Sequence, residues 1–94
     1  MSKYETVYII SPTFEEEQVK GLVEKFSGLV TQYGELEKLE EWGRKKLAYE
    51  VQDQKEGYYV LMNFSAQSEF PAELERNFKI TEGILKYLIL KKDA

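Results

Sequence analysis

Three cations stand in a row at Arg44-Lys45-Lys46, directly after Trp42-Gly43 and close to an acidic stretch at Glu35, Glu37, Glu40 and Glu41. Adjacent cations repel one another unless water or an anion matches them, and phosphate groups are an obvious match. The same run also suits a solvated edge strand whose charges discourage pairing with another chain. These residues alone weigh the two readings about evenly. Further cations lie at Lys3 and at Lys86, Lys91 and Lys92.

Other chemistries have little to stand on. The chain has no cysteine and no histidine. That excludes a disulfide framework, a thiolate nucleophile, a Cys/His zinc site and a histidine base. Its dense carboxylates are Glu15 to Glu17 and Glu40-Glu41. The first group suits the first turn of a helix, and strand neighbours such as the second point to opposite faces, so neither makes a catalytic pair. Asp53 and Glu56 are too sparse for a metal site. No glycine-rich phosphate loop is present, and no serine has a histidine to activate it. We expect no enzyme, no cofactor, no metal and no small-molecule substrate.

The 94 residues are 43% apolar and 32% charged, with a net charge of -4. This suits one ordinary globular domain over residues 1–94 and leaves little interior for a deep cavity. The excess of acid speaks against indiscriminate phosphate binding, so any affinity for nucleic acid has to come from local basic clusters. Met1 to Glu5 lacks the apolar core of a signal peptide, and no run approaches membrane-spanning length. A cytoplasmic protein without a membrane partner is expected.

The elements that must position these residues follow from periodicity. Lys3 to Ile10 reads as a strand with Tyr4, Tyr8 and Ile10 on one face and Val7 and Ile9 on the other. Apolar residues on both faces predict a central strand. Thr13 and Glu16 have capping-box spacing ahead of a helix over 14–33, with Gly34 as its cap. Gly21 and Gly28 share one face of that helix, either to allow close packing or simply weakening it. Residues 35–51 read as extended, but Leu36 and Leu39 differ in parity, as do Trp42 and Leu47. Gly43 sits at the break and predicts a β-bulge. A polar turn over 52–57 and a strand over 58–64 follow. Ser68 is placed to cap a second helix carrying Pro71 in its first turn and Phe70, Leu74 and Phe78 on one stripe. After a turn at Thr81-Glu82-Gly83, residues 84–90 form the last strand. The order β-α-β-β-α-β predicts an α+β, ferredoxin-like fold: a four-stranded antiparallel sheet with two helices on one face. The other face stays uncovered and partly apolar, which usually marks a partner.

An RNA-recognition motif shares this architecture, and its third strand needs two aromatics at spacing two. Here Tyr58 and Tyr59 are adjacent, so one belongs to the core and one to the surface. Trp42 either anchors an interface or closes the edge of the core, and its position leans slightly to the second.

The stretch Gly43-Arg44-Lys45-Lys46-Leu47-Ala48-Tyr49-Glu50-Val51 resembles the signature of the bacterial small-subunit ribosomal protein S-six family. That signature runs Gly-x-basic-x-Leu-Ala-Tyr, followed one residue later by isoleucine. Lys3-Tyr4-Glu5, Leu39 to Gly43 and Tyr58 to Phe64 extend the resemblance over almost the whole chain. Val51 replaces the isoleucine, Glu50 stands where proline is frequent, Gln52 replaces a commonly basic residue, and no long acidic tail follows. The resemblance implies a structural ribosomal protein that binds the central domain of small-subunit ribosomal RNA and pairs with ribosomal protein S-eighteen. It implies RNA contacts at Lys3, Arg44, Lys45 and Lys46, and more weakly at Lys86, Lys91 and Lys92, made through phosphates and shape without base stacking. Trp42 and Tyr49 are candidates for the protein partner. Two other readings compete. One is a regulatory or small-molecule-binding module that homodimerises through its open sheet. The other is an acylphosphatase-type enzyme, which needs an anion-cradling arginine after the first strand, where this chain has Ser11-Pro12-Thr13-Phe14.

Overall fold

A computed structural model describes residues 1–92. The elements run β1 (Ser2–Ile10), α1 (Glu16–Tyr33), β2 (Gly34–Val51), β3 (Gln54–Ala66), α2 (Phe70–Ile80) and β4 (Ile84–Lys92). They build one four-stranded sheet in the order β2-β3-β1-β4. All three neighbouring pairs are antiparallel. The expected α+β, ferredoxin-like architecture is therefore what the chain adopts, and the doubly apolar β1 is central.

Parity decides the two faces. Tyr4, Thr6, Tyr8 and Ile10 of β1 lie beside Phe64, Met62, Val60 and Tyr58 of β3 on one face. Phe26 and Val30 of α1 and Phe70, Leu74 and Phe78 of α2 cover it, and together these side chains form the core. At its centre Tyr8, Phe26 and Phe78 meet with ring centroids 4.6–5.1 Å apart. Burial pushes the Tyr8 hydroxyl far above its ordinary pKa. The Thr6 hydroxyl, also buried, donates to the Leu88 carbonyl at 2.7 Å. The stripe Phe70-Leu74-Phe78 is buried as its spacing requires.

Several local expectations shift. The capping box of α1 uses Glu15 and Gln18: Gln18 Oε1 accepts from the Glu15 amide at 2.8 Å. Thr13 is unavailable because its hydroxyl pairs with that of Ser11 at 2.7 Å. Ser68 does not cap α2; its hydroxyl donates to the Glu69 carboxylate at 3.0 Å. Gly34 ends α1 in an extended conformation, and its lack of a side chain matters for another reason. A Cβ there would strike the Ser65 carbonyl oxygen of β3. Gly21 and Gly28 have open space around them, so they permit no close packing.

The hairpin between β2 and β3 is longer than expected. Its turn is only Gln52-Asp53, both at positive φ, between the paired residues Val51 and Gln54. This is the two-residue geometry that matches strand twist, adopted here without glycine. Gln54 to Gly57 are strand, not turn. The pairing of β1 with β3 stops at Ile10 and Tyr58, so the hairpin tip projects beyond the sheet as a two-stranded ribbon.

Candidate functional site

The bulge expected at Gly43 is present. The β2–β3 register shifts between Glu41 and Gly43, and Gly43 has φ +79°, where side chains are strained. A further shift lies between Leu36 and Lys38, and a third between Lys46 and Val51. Each shift changes which face the following residues point to.

Ordinary strand alternation splits the cation run, and the bulge before it sets which residue takes which face. Arg44 lies opposite Tyr58 on the helix-covered side. It lines a groove of about 540 Å³ with Phe14, Glu16, Val19, Glu41 and Tyr58. Its guanidinium is 3.5 Å from Glu56. Lys45, opposite Gly57, belongs to the uncovered side, where its Nζ stands 5.2 Å from the centre of the Trp42 ring. Lys46 lies opposite Glu56 at the base of the projecting ribbon.

The uncovered face carries Val7 and Ile9 of β1, Tyr59 and Leu61 of β3, and Leu88 and Leu90 of β4. Trp42 joins it by stacking on Tyr59, with centroids 6.4 Å apart and planes 17° apart. The indole is 43% exposed and lies outside the core, so the expectation that it closes the core edge fails. The bulge explains this, because it releases Trp42 from the regular pleat. Leu88 and Leu90 are 52% and 47% exposed. Tyr58 packs against the core while Tyr59 faces outward, as adjacency requires. Tyr58 Oη donates to Glu41 at 2.9 Å, and partial burial followed by that carboxylate raises its pKa.

The remaining cations gather at two ends. Lys3 and Lys92 are cross-strand neighbours at one end of the sheet, with Lys91 beside Tyr4. Lys3 is 3.6 Å from Glu37, and Lys92 is 3.9 Å from Glu5. Lys86 lies beside Ile9, six residues along β1 from Lys3, hence roughly 20 Å away. Its Nζ donates to the Tyr49 hydroxyl and stands 4.7 Å from that ring's centre. Tyr49 of β2 thereby reaches across to β4, so the ribbon leans over the open face. Among the described residues, Lys45, Lys46, Lys86 and Lys91 make no salt bridge.

Sequence reasoning missed some of the residues that shape this face. Glu40 accepts from the Trp42 indole at 3.1 Å and pairs with Lys38 at 3.3 Å. These two partners, the indole first, hold its carboxyl below the usual range. Tyr59, read only as one of two tyrosines, is the platform under Trp42. The i, i+2 spacing of Glu40 and Trp42 is the available signal.

The fold is that of a ferredoxin-like module with one uncovered, cation-rimmed sheet face. Residues 3–91 match the family described as ribosomal protein S6. Relatives named small ribosomal subunit protein bS6 include that of Caldanaerobacter subterraneus subsp. tengcongensis, 49% identical over 94 residues. That of Thermoanaerobacter pseudethanolicus is 51% identical over the same length, and in both cases 99% of each chain is covered. The crystal structure of 30S ribosomal protein S6 from Thermotoga maritima superposes with a TM-score of 0.92 at 29% identity, covering 97% of this chain and 87% of that one. The chain belongs to the ribosomal protein S6 family. It is a structural protein of the small subunit in the cytoplasm and not an enzyme.

Proposed function

We propose that this chain binds the central domain of small-subunit ribosomal RNA together with ribosomal protein S-eighteen, dividing the two tasks between parts of the sheet. The observation that carries this reading is the uncovered face itself. Leu88, Leu90 and Trp42 form an exposed apolar surface in a chain of this size, and cations stand at its margins. A basic protein partner takes the apolar surface, with Trp42 as the anchor. The marginal cations take phosphates, which explains how an acidic chain docks on RNA.

The cations contribute unequally. Lys45 and Lys46 have no carboxylate partner among the described residues and so meet phosphate without first losing an ion pair. Arg44, Lys3 and Lys92 each exchange a carboxylate for a phosphate. Tyr49 is held by Lys86 and positions the ribbon, which makes it a weaker candidate for the partner than Trp42.

The test is a titration against a central-domain RNA fragment, with and without the partner, at several salt concentrations. Each phosphate contact adds about one unit to the log-log salt slope. Changing Lys45 and Lys46 to alanine is expected to flatten the slope by about two units, and Arg44→Ala by no more than about one. An unchanged slope in the double variant overturns the assignment. A stable homodimer without RNA affinity points instead to the regulatory module.

A further inference from the structure

The open face is not bare along its whole length. Ile9 lies on it and is buried, although it stands outside the core that the helices cover. Its neighbours explain this. Gly57 of β3 has no side chain, and a Cβ there would strike Ile9 Cγ2 and lie 3.6 Å from Leu85 Cδ1. Ile9 and Leu85 thus fill the space above Gly57. Leu85 is the extra residue of a bulge in β4, since Ile9 pairs with Lys86 and Ile10 with Ile84.

Above these residues passes the contact between Tyr49 and Lys86. Lys86 alternates with Tyr87, which packs against the core, so its side chain stands on the open side. Its Nζ donates to the Tyr49 hydroxyl and lies 4.7 Å from the ring centre. β3 and β1 separate β2 from β4, a gap of three strand spacings or roughly 14 Å. The pair bridges that gap across Ile9 and ties the projecting ribbon to β4.

We infer that the ribbon is a displaceable strap: the Tyr49–Lys86 contact holds it over Ile9 and Leu85 in the free protein, and the protein partner lifts it to dock on the apolar surface beneath. For the identity of that occupant the inference rests on the function proposed above. The fastening is weak. The β2–β3 register shifts between Lys46 and Val51, and no third strand pairs with the ribbon beyond Tyr58. Tyr49 is 62% exposed, and an exposed cation–ring contact contributes little. Lys86 makes no salt bridge among the described residues, so releasing Tyr49 breaks no ion pair. The surface beneath continues the one already exposed, because Ile9 follows Val7 on the same face of β1 and Val7 lies beside Leu88. It is apolar, which suits the protein partner and not the RNA.

Methyl NMR with a soluble paramagnetic agent tests the strap in the free protein. The Ile9 methyl signals are expected to be shielded from the agent, while those of exposed Leu88 broaden. Tyr49→Ala and Lys86→Met each unfasten the ribbon and are expected to raise the Ile9 broadening toward that of Leu88. Both positions are exposed, so the urea midpoint is expected to stay near that of the wild type. Titrating the protein partner into the wild type, without RNA, is expected to abolish the ring-current shift that Tyr49 imposes on the Lys86 ε-methylene. Both variants are expected to bind the partner more tightly than the wild type, since no free energy goes into opening. Ile9 shielding that survives both substitutions overturns the strap. A ring-current shift that persists in the complex, or weaker partner binding by both variants, overturns its displacement. A partner that binds neither wild type nor variants overturns the proposed partnership and the lifting with it, whereas the Ile9 signals judge the strap alone.

Discussion

The two faces of one sheet are built from the same strands and similar residue types, yet they have different fates. On the helix side, Tyr4, Tyr8, Ile10, Val60, Met62 and Phe64 are all buried. On the other side Ile9 and Leu61 are buried, but Leu88, Leu90 and Trp42 are not. Apolar character therefore does not by itself decide burial in this chain; on the helix side the cover provided by α1 and α2 does. A helix stripe such as Phe70-Leu74-Phe78 buries one sheet face and leaves the other open. The covered face supplies folding stability. The uncovered face is available for binding free energy.

The sharpest way to break that comparison is to truncate one residue on each side. Phe26 is fully buried and touches both Tyr8 and Phe78. Phe26→Ala is expected to cost about 3–5 kcal/mol in urea unfolding. Leu88→Ala removes a similar apolar group from the open face and is expected to stay within about 0.5–1 kcal/mol. Equal losses at the two positions mean that the open face also belongs to the folding core.

The covered face was legible in the sequence and the open face only partly so. The even-numbered residues of β1, the stripe of α2 and the bulge at Gly43 all follow from period and glycine placement. What misled was local competition and missing burial. The Thr13-x-x-Glu16 pattern is a valid cap, but Ser11 takes the threonine hydroxyl. Gln54 to Gly57 looked like a turn because the ribbon projects past the sheet and has no core to impose alternation. A tight turn at Gln52-Asp53 without glycine also gives a weak signal. For the candidate site, the cations were visible but their faces were not. A bulge resets parity, so three consecutive residues can be assigned to faces only once the register of β2 on β3 is known.

A smaller effect on stability, with a large effect on binding, is expected at Trp42. The indole stacks on Tyr59 and stands under Lys45, but it is outside the core. Trp42→Ala is expected to weaken binding of the protein partner by about 2 kcal/mol or more, roughly thirtyfold, in a calorimetric titration. The urea midpoint is expected to move far less than for Phe26→Ala. A variant that unfolds easily while binding normally reverses the roles given to the two faces.

The smallest effect lies on the solvent side of the helices, farthest from either sheet face. On α2, Arg76 grips Glu73 with Nε to Oε2 at 3.1 Å and Nη2 to Oε1 at 2.5 Å. These hydrogen bonds, chiefly, hold the Glu73 carboxyl below the usual carboxylate range, with Asn77 assisting. A carboxyl whose folded pKa is depressed binds its proton more readily in the unfolded chain. Its contribution to stability is therefore complete above the ordinary carboxylate pKa and disappears as pH falls through the folded value. Both groups are exposed, so water screens the pair and the contribution is slight. Arg76→Gln is expected to move the Glu73 titration midpoint, followed by carboxyl carbon NMR, up toward its ordinary value. The melting temperature at neutral pH is expected to change little. A large drop instead means that the outer surface of α2 contributes to stability on the scale of the covered face, and that burial is not what separates the regions of this molecule.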